Sequence, residues 1–366
     1  MRIVAKIGTA SITDEAGRIN RDAIARLADE IASLRAQGDE VIVVSSGAVA
    51  AGVATLDLPG RPADMQTLQA VSAVGQSRLV EVYNAEFDRH GLIGAQLLVD
   101  SLDFVARTQY LHLRTTLGRL LELGCVPIVN ENDAIANDEL RYGDNDRIAA
   151  LIANSVAADV LVLLTDMDGV FTADPRRDAS ATLIPYVRAD DPLLSIDADG
   201  GGSGRGSGGM ASKLVAARMA SWSGVRSVIA RAARRGVLAG AASDELVGTT
   251  FEAHRTVLSA RKLWIAFAAE VAGTVVVDAG ARQALTNHPN SLLPAGVTSV
   301  VGAFDIGQVV DLADPDGAVF ARGIASVTAE RLGTVLGRHT RDLPAGMVHE
   351  VVHRDDLVVL DRPAPG

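Results

Sequence analysis

The chain reads as an α/β protein: a mainly parallel central sheet flanked by helices, followed by a small mostly-β domain. Three observations lead there. Short β-branched runs alternate with helix-patterned segments from residue 1 to about 250, the signature of a parallel sheet. Loops rich in Gly, Ser, Asn and Asp follow the ends of those runs, where open α/β sheets bind ligands. From residue 271 the helical segments give way to closely spaced strands and turns. The length of 366 residues also exceeds what one hydrophobic core usually supports.

In chain order, the expected strands are Ile3-Ile7, Val41-Ser45, Ile93-Val99, Val126-Val129, Val160-Leu164 and Arg226-Ile229. Between the first two, Ile24, Leu27, Ile31 and Leu34 recur at helical spacing over Arg21-Arg35. Ile148-Val156 is a second helical run, and Met210, Leu214, Val215 and Met219 predict a third. In the tail, Thr274-Val277, Val297-Val301, Val309-Leu312 and Ala318-Ile324 are strands, with Asp314-Pro315-Asp316-Gly317 as a hairpin turn. Trp264 to Gly273 is the expected junction. The domains are therefore placed at 1-255 and 271-366, joined by 256-270.

Composition narrows the function. Hydrophobic residues make up 48% and charged residues 22%, ample for a large core. The net charge of -11 disfavours broad attraction to nucleic acid or anionic membrane. A single cysteine, Cys125, can form no intrachain disulfide, which fits a reducing compartment. Without an apolar stretch of 18 residues, a soluble cytoplasmic protein is expected.

Only three lysines, Lys6, Lys213 and Lys262, occur among 34 basic residues. Two of them sit beside glycine: Lys6 ahead of Gly8-Thr9, and Lys213 after Gly206-Ser207-Gly208-Gly209-Met210-Ala211-Ser212. A compact ammonium on a flexible stem suits a phosphate contact. Lys213 falls in the first turn of its helix, where a cation opposes the helix dipole unless a phosphate joins the N–H groups there. The G-x-x-x-x-G-K-[ST] spacing of a Walker loop is absent. The glycine- and serine-rich stretch Asp197-Gly209 reads as a loop closing over a ligand.

The densest polar stretch is Asn130-Glu131-Asn132-Asp133, followed by Gly143-Asp144-Asn145-Asp146. Capping and turn formation explain some of these residues, with Asp144 or Asn145 as the helix cap. Several acids bracketed by buried structure also require a cation, for which Lys6, Lys213, a substrate ammonium and Mg2+ are candidates. Thr165 and Asp166 end the fifth strand and are placed to touch a nucleotide, whereas Asp168-Gly169 reads as a hairpin. Ser46-Gly47-Ala48 opens a helix whose N–H groups can bind a carboxylate or phosphate.

Together with Ala73-Val74-Gly75-Gln76-Ser77-Arg78 and Thr172-Ala173-Asp174-Pro175-Arg176, these motifs resemble the glutamate 5-kinases, of the amino acid kinase fold with a C-terminal PUA-like domain (the module named after pseudouridine synthases and archaeosine transglycosylases). The resemblance implies ATP-dependent phosphorylation of the L-glutamate side-chain carboxylate, the first step of proline biosynthesis. It implies catalytic roles for Lys6, Lys213 and Asp146, with Asp146 orienting the two lysines. Ser46, Asp133 and Asn145 are implied to bind glutamate. Lys6, Gly8, Thr165, Asp166, Ser207, Gly208, Gly209, Met210, Ala211, Ser212 and Lys213 are implied to bind ATP, with Mg2+ held mainly through the phosphates and no protein metal site. It further implies feedback inhibition by proline and a homo-oligomer. Ala10 departs from the family, which usually has a second hydroxyl there. Ser207 and Ser212 stand where threonine is common, and Arg205 makes the glycine run atypical. Two alternatives remain: a relative acting on aspartate, N-acetylglutamate, carbamate or a nucleoside monophosphate, and an RNA-binding PUA protein. Residues 271-366 carry seven arginines, no lysine and eleven acids, which is not the charge of an RNA-binding surface.

Overall fold

The computed structural model describes the chain except for residues 15, 101, 136–144, 195–208, 256, 270, 344–348 and 361–366. The described residues form two compact units. One comprises Met1–Leu194 with the described part of Arg205–Ala260, and the other Arg261–Gly366.

The first unit runs β1 (Arg2–Ile7), α1 (Thr9–Ile12), α2 (Arg21–Ala36), β2 (Glu40–Ser45), α3 (Ala48–Thr55), α4 (Met65–Asp88), β3 (Gly94–Val99), α5 (Leu102–Val105), α6 (Arg107–Glu122) and β4 (Val126–Glu131). It continues with α7 (Asn145–Ser155), β5 (Val160–Thr165), β6 (Tyr186–Val187), α8 (Met210–Trp222), β7 (Arg226–Arg231), α9 (Val237–Ala242) and β8 (Gly248–Phe251). The strands form one sheet in the order β3-β4-β2-β1-β5-β7-β8-β6. Its pairs are parallel except for β7 with β8. The register brings strand ends to a common edge: Ile7 pairs with Ser45 and Leu164, Val99 with Glu131, and Thr165 with Arg231.

Strand alternation decides which way Lys6 points. Ile3, Ala5 and Ile7 join Val41, Val43, Val160, Val162 and Leu164 in a core with Ile24, Leu27 and Ile31 of α2 and Leu79 and Tyr83 of α4. With a side-chain period of two, Lys6 therefore emerges on the opposite face, where α7 packs against β1. Helix α2 follows its apolar stripe and is capped by Asn20, whose side chain accepts from the Ala23 N–H.

The helix α3 is held tightly against α4. A Cβ on Gly75 would stand 1.8 Å from the Ala48 carbonyl oxygen, and one on Gly52 2.0 Å from that of Val71. Glycine is the only residue that permits this crossing, and the crossing fixes the start of α3 beside the strand ends.

The second unit contains α11 (Ala279–Asn287), α12 (Ala329–Gly333) and β9 (Val271–Val277), β10 (Val297–Gly302), β11 (Val309–Ala313), β12 (Val319–Ala325) and β13 (Val352–Val359), with α10 (Ala260–Leu263) and a π-helical turn, Trp264–Ala268, at its start. The five strands are ordered β10-β9-β11-β12-β13 and enclose their own core, including Val275, Leu312, Phe320 and Leu357. Asp314-Gly317 is the turn between β11 and β12, with Asp314 Oδ1 accepting from the Asp316 and Ala318 N–H groups and Gly317 at φ +85°. Strand β9 begins at Val271, so the last three residues of the Trp264–Gly273 stretch are strand rather than junction.

Candidate active site

Lys6 and Lys213 meet on one carboxylate. Lys6 Nζ lies 2.7 Å from Asp146 Oδ1, and Lys213 Nζ 3.2 Å from Oδ2. The three residues come from β1, the first turn of α8 and the first turn of α7, and are 2%, 4% and 0% exposed. Ser212 Oγ adds a hydrogen bond to Oδ2 at 2.8 Å. Burial pushes the Asp146 pKa up, but Lys6, Lys213 and the hydrogen bonds outweigh it and hold the carboxyl below its ordinary value. Two ammonium groups thus meet at one carboxylate at the floor of a polar site, and two cations brought together there are suited to an anionic group.

Above this trio opens a cavity of about 420 Å³. Lys6, Gly8, Ser46, Asp133, Asn145, Thr165, Asp166 and Lys213 all line it. Gly8 keeps the space over Lys6 open, since a Cβ there would stand 3.7 Å from Nζ. Asn145 Nδ2 donates to Ser46 Oγ at 3.1 Å, tying the first turn of α7 to the loop between β2 and α3. Gly47, at φ +97°, begins α3 without a side-chain cap, so first-turn N–H groups of α3 remain available at the cavity wall.

Other expected residues fall elsewhere. Gly209 is the N-cap of α8, and Met210 and Ala211 begin the helix; none of the three lines the cavity. Ser212 reaches Asp146 instead. Ser207, Gly208, Arg205, Gly143, Asp144 and all but the last residue of Asp197-Gly209 lie outside the described residues. Residues just before that stretch are anchored on α8, where Arg218 Nε donates to the Leu193 carbonyl at 2.6 Å and Trp222 Nε1 to that of Leu194 at 2.9 Å.

Thr165 Oγ1 hydrogen-bonds Asp166 at 3.1 Å, and Arg176 donates to Asp166 at 3.2 Å. Asp168-Gly169 is not a strand-to-strand hairpin: Asp168 accepts from Arg231 Nε at 2.5 Å and Nη2 at 3.0 Å, clamping the loop after β5 to the end of β7. This pairing across 63 residues could not be read locally. A second cavity, of about 570 Å³, shares Thr165 and Asp166 and extends past Ser11, Arg26, Arg231 and Arg234. Ser11 lines both cavities, offering a hydroxyl one residue beyond Ala10. Arg61 lines the first cavity but had no motif to mark it.

Comparison with known proteins gives the family. The amino acid kinase family model matches residues 1–231 and the PUA domain model residues 273–347. A glutamate 5-kinase of Myxococcus xanthus is 47% identical over 98% of this chain and 96% of its own length. The glutamate 5-kinases of Caldanaerobacter subterraneus and Bordetella petrii are 43% and 45% identical, over 99% and 98% of this chain and 98% and 96% of their own lengths. The chain belongs to the glutamate 5-kinase family. Within that family its Lys6–Asp146–Lys213 trio and the polar cavity above it lie inside the matched amino acid kinase segment, on strands and helix starts at one sheet edge.

Proposed function

We propose that this member of the family transfers the γ-phosphoryl group of ATP to the side-chain carboxylate of L-glutamate, giving L-glutamyl 5-phosphate and ADP. The observation that carries the reading is the buried Lys6–Asp146–Lys213 trio, two ammonium groups on one carboxylate, beneath a cavity that also presents Ser46, Asn145 and Asp133. The trio suits phosphoryl oxygens; the neutral donors and the acid suit a free amino acid.

In this reading an oxygen of the glutamate carboxylate attacks the γ-phosphorus, the bond to the β–γ bridging oxygen breaks, and ADP departs with its electrons. The nucleophile is ionised at neutral pH, so no general base is needed. What the protein supplies is alignment and charge stabilisation. Lys6, at the end of β1, meets the transferred group. Lys213, at the start of α8, meets the nucleotide phosphates together with the helix N-terminus. Asp146 keeps both ammonium groups in place, while Asp133 receives the substrate ammonium. Thr165, Asp166 and the stretch from Ser207 to Ser212 serve the nucleotide.

In this reading Mg2+ accompanies the ATP phosphates. When bound it shields their charge. We also propose a cytoplasmic homo-oligomer inhibited by proline at the glutamate subsite, with domains at 1-255 and 271-366. Hydroxylamine trapping of the acyl phosphate tests the reaction. Clear preference for L-glutamate over aspartate and N-acetylglutamate supports it, and equal turnover of N-acetylglutamate overturns it.

A further inference from the structure

The buried side of α4 carries a carboxamide, Gln76, outside the machinery assigned above. It is 7% exposed, and its Oε1 accepts from Asn130 Nδ2 at 2.6 Å. Asn130, 1% exposed, turns its Oδ1 onto the Glu131 N–H at 2.9 Å. The same N–H lies 3.2 Å from Asn145 Oδ1, and Asn145 Nδ2 donates to Ser46 Oγ at 3.1 Å. Four elements are thus joined in one relay: α4, the end of β4, the start of α7, and the loop into α3.

The relay has a direction. A primary carboxamide has one accepting and one donating end, so fixing either end fixes the other. With Gln76 Oε1 against it, Asn130 cannot flip without setting its oxygen against another acceptor and its NH2 against the Glu131 N–H. The same Glu131 N–H, a donor fixed by the backbone, holds Asn145 with its oxygen inward and its NH2 toward Ser46. Ser46 Oγ is therefore an acceptor within the protein, and among the described residues its own hydrogen is given to none. That hydrogen is available to the cavity, where it can meet only an acceptor.

Gln76 holds this arrangement at a cost. Its buried Nε2 has no partner among the described residues, an unfavourable state that a Leu or Met at the same position would avoid. The acceptor oxygen is what such a side chain would lack.

We infer that Gln76 is a positioning residue for the amino-acid subsite, holding Asn130 beside the Glu131 N–H that it shares with Asn145, and that Asn145, oriented by that N–H, leaves Ser46 a donor to a glutamate carboxylate oxygen, with the ammonium at Asp133. This rests on the reaction proposed above. Wild-type turnover of glutamate is therefore measured first, and its absence would overturn that reaction. Given turnover, Gln76→Met should raise the KM for glutamate about fivefold, the scale of one lost neutral hydrogen bond, with kcat and the KM for ATP within about twofold of wild type. If Gln76→Met does not fold, Asn130→Ser, which leaves α4 untouched, carries the same expectation. Unchanged KM for glutamate, or equal losses for glutamate and ATP, overturns the positioning role.

The second part is tested with glutarate, which lacks the amino group, as a competitive inhibitor against glutamate. Ser46→Ala should weaken glutarate and glutamate by the same factor if the hydroxyl donates to a carboxylate. Weakening of glutamate alone would place Ser46 on the ammonium and overturn the assignment.

Discussion

Both units bury charge, but they balance it differently. In the C-terminal unit Arg322, 9% exposed, donates through Nε to Asp311 at 2.7 Å and through Nη1 to the Ala266 carbonyl at 2.9 Å. One cation meets one anion, and a second donor of the guanidinium meets backbone. In the catalytic unit two lysines share a single aspartate. The first arrangement is closed off by backbone, whereas the second lies beneath a polar cavity. A buried ion pair is weak evidence of anything beyond structure, whereas two lysines converging on one carboxylate beneath a polar cavity are placed to meet an anion.

The sharpest way to break this contrast is to alter the unbalanced trio while preserving charge. Lys6→Arg and Lys213→Arg should each lower kcat about a hundredfold or more, because a planar guanidinium does not fit the place of a compact ammonium in a glycine-walled site. Asp146→Asn should lose at least as much by leaving two buried ammonium groups without their anchor. Thermal melting should show the variants folded, and near-wild-type turnover in any of them would mean the trio is structural like Arg322–Asp311.

The balanced pair should respond in the opposite sense. Arg322→Met should destabilise the C-terminal unit by about 3–5 kcal/mol, since it leaves Asp311 half-buried without its cation, and Arg322→Met with Asp311→Leu should recover much of that. Denaturant unfolding of the full chain measures it, and turnover by the folded fraction should not change. A fall in turnover at full folding would give this pair a role the contrast denies it.

The same contrast shows how much was legible in advance. Lys6 and Lys213 stood out because lysine is rare here and both adjoin glycine, and the Asn130-Asp133 and Asn145-Asp146 clusters were readable from their density in two short loops. The strands beneath them, Arg2–Ile7 and Val160–Thr165, announced themselves by β-branched runs. What stayed hidden depends on distant partners: the Asp168–Arg231 clamp spans 63 residues, and Gln76 reaches Asn130 across 54. Neither β8 nor β13 was expected, since Gly248–Phe251 is only four residues long and Val352–Val359 is interrupted by His353, Arg354, Asp355 and Asp356.

Acid response sharpens the electrostatic side. Asp146 has its pKa held below the ordinary 3.8, so its contribution to stability is complete above that value and is lost only as pH falls through the lower folded one. With no neutral-range base in the reaction, kcat should stay within about twofold from pH 6 to 8. A limb with a midpoint inside that window would reveal a titrating group that the trio and the cavity do not contain.

The smallest expected effect comes from removing the balanced unit altogether. The trio and the described cavity lie between Lys6 and Lys213, and the division between units falls between Ala260 and Arg261. Each unit also encloses its own hydrophobic cluster, one built on β1, β2, β5 and α2, the other on β9, β11, β12 and β13, and a domain with its own core can in principle fold alone. Residues 1–260 should therefore be soluble and retain glutamate-dependent turnover within about threefold of the full chain, with any change appearing in regulation or assembly. The rival outcome is an apolar face left uncovered, which would drive association of the shortened protein. Light scattering and hydroxamate formation on the same sample separate the two: monodisperse, active protein keeps the units independent, while aggregated or inactive protein beside an active full chain would make the C-terminal unit part of what holds the catalytic edge in place.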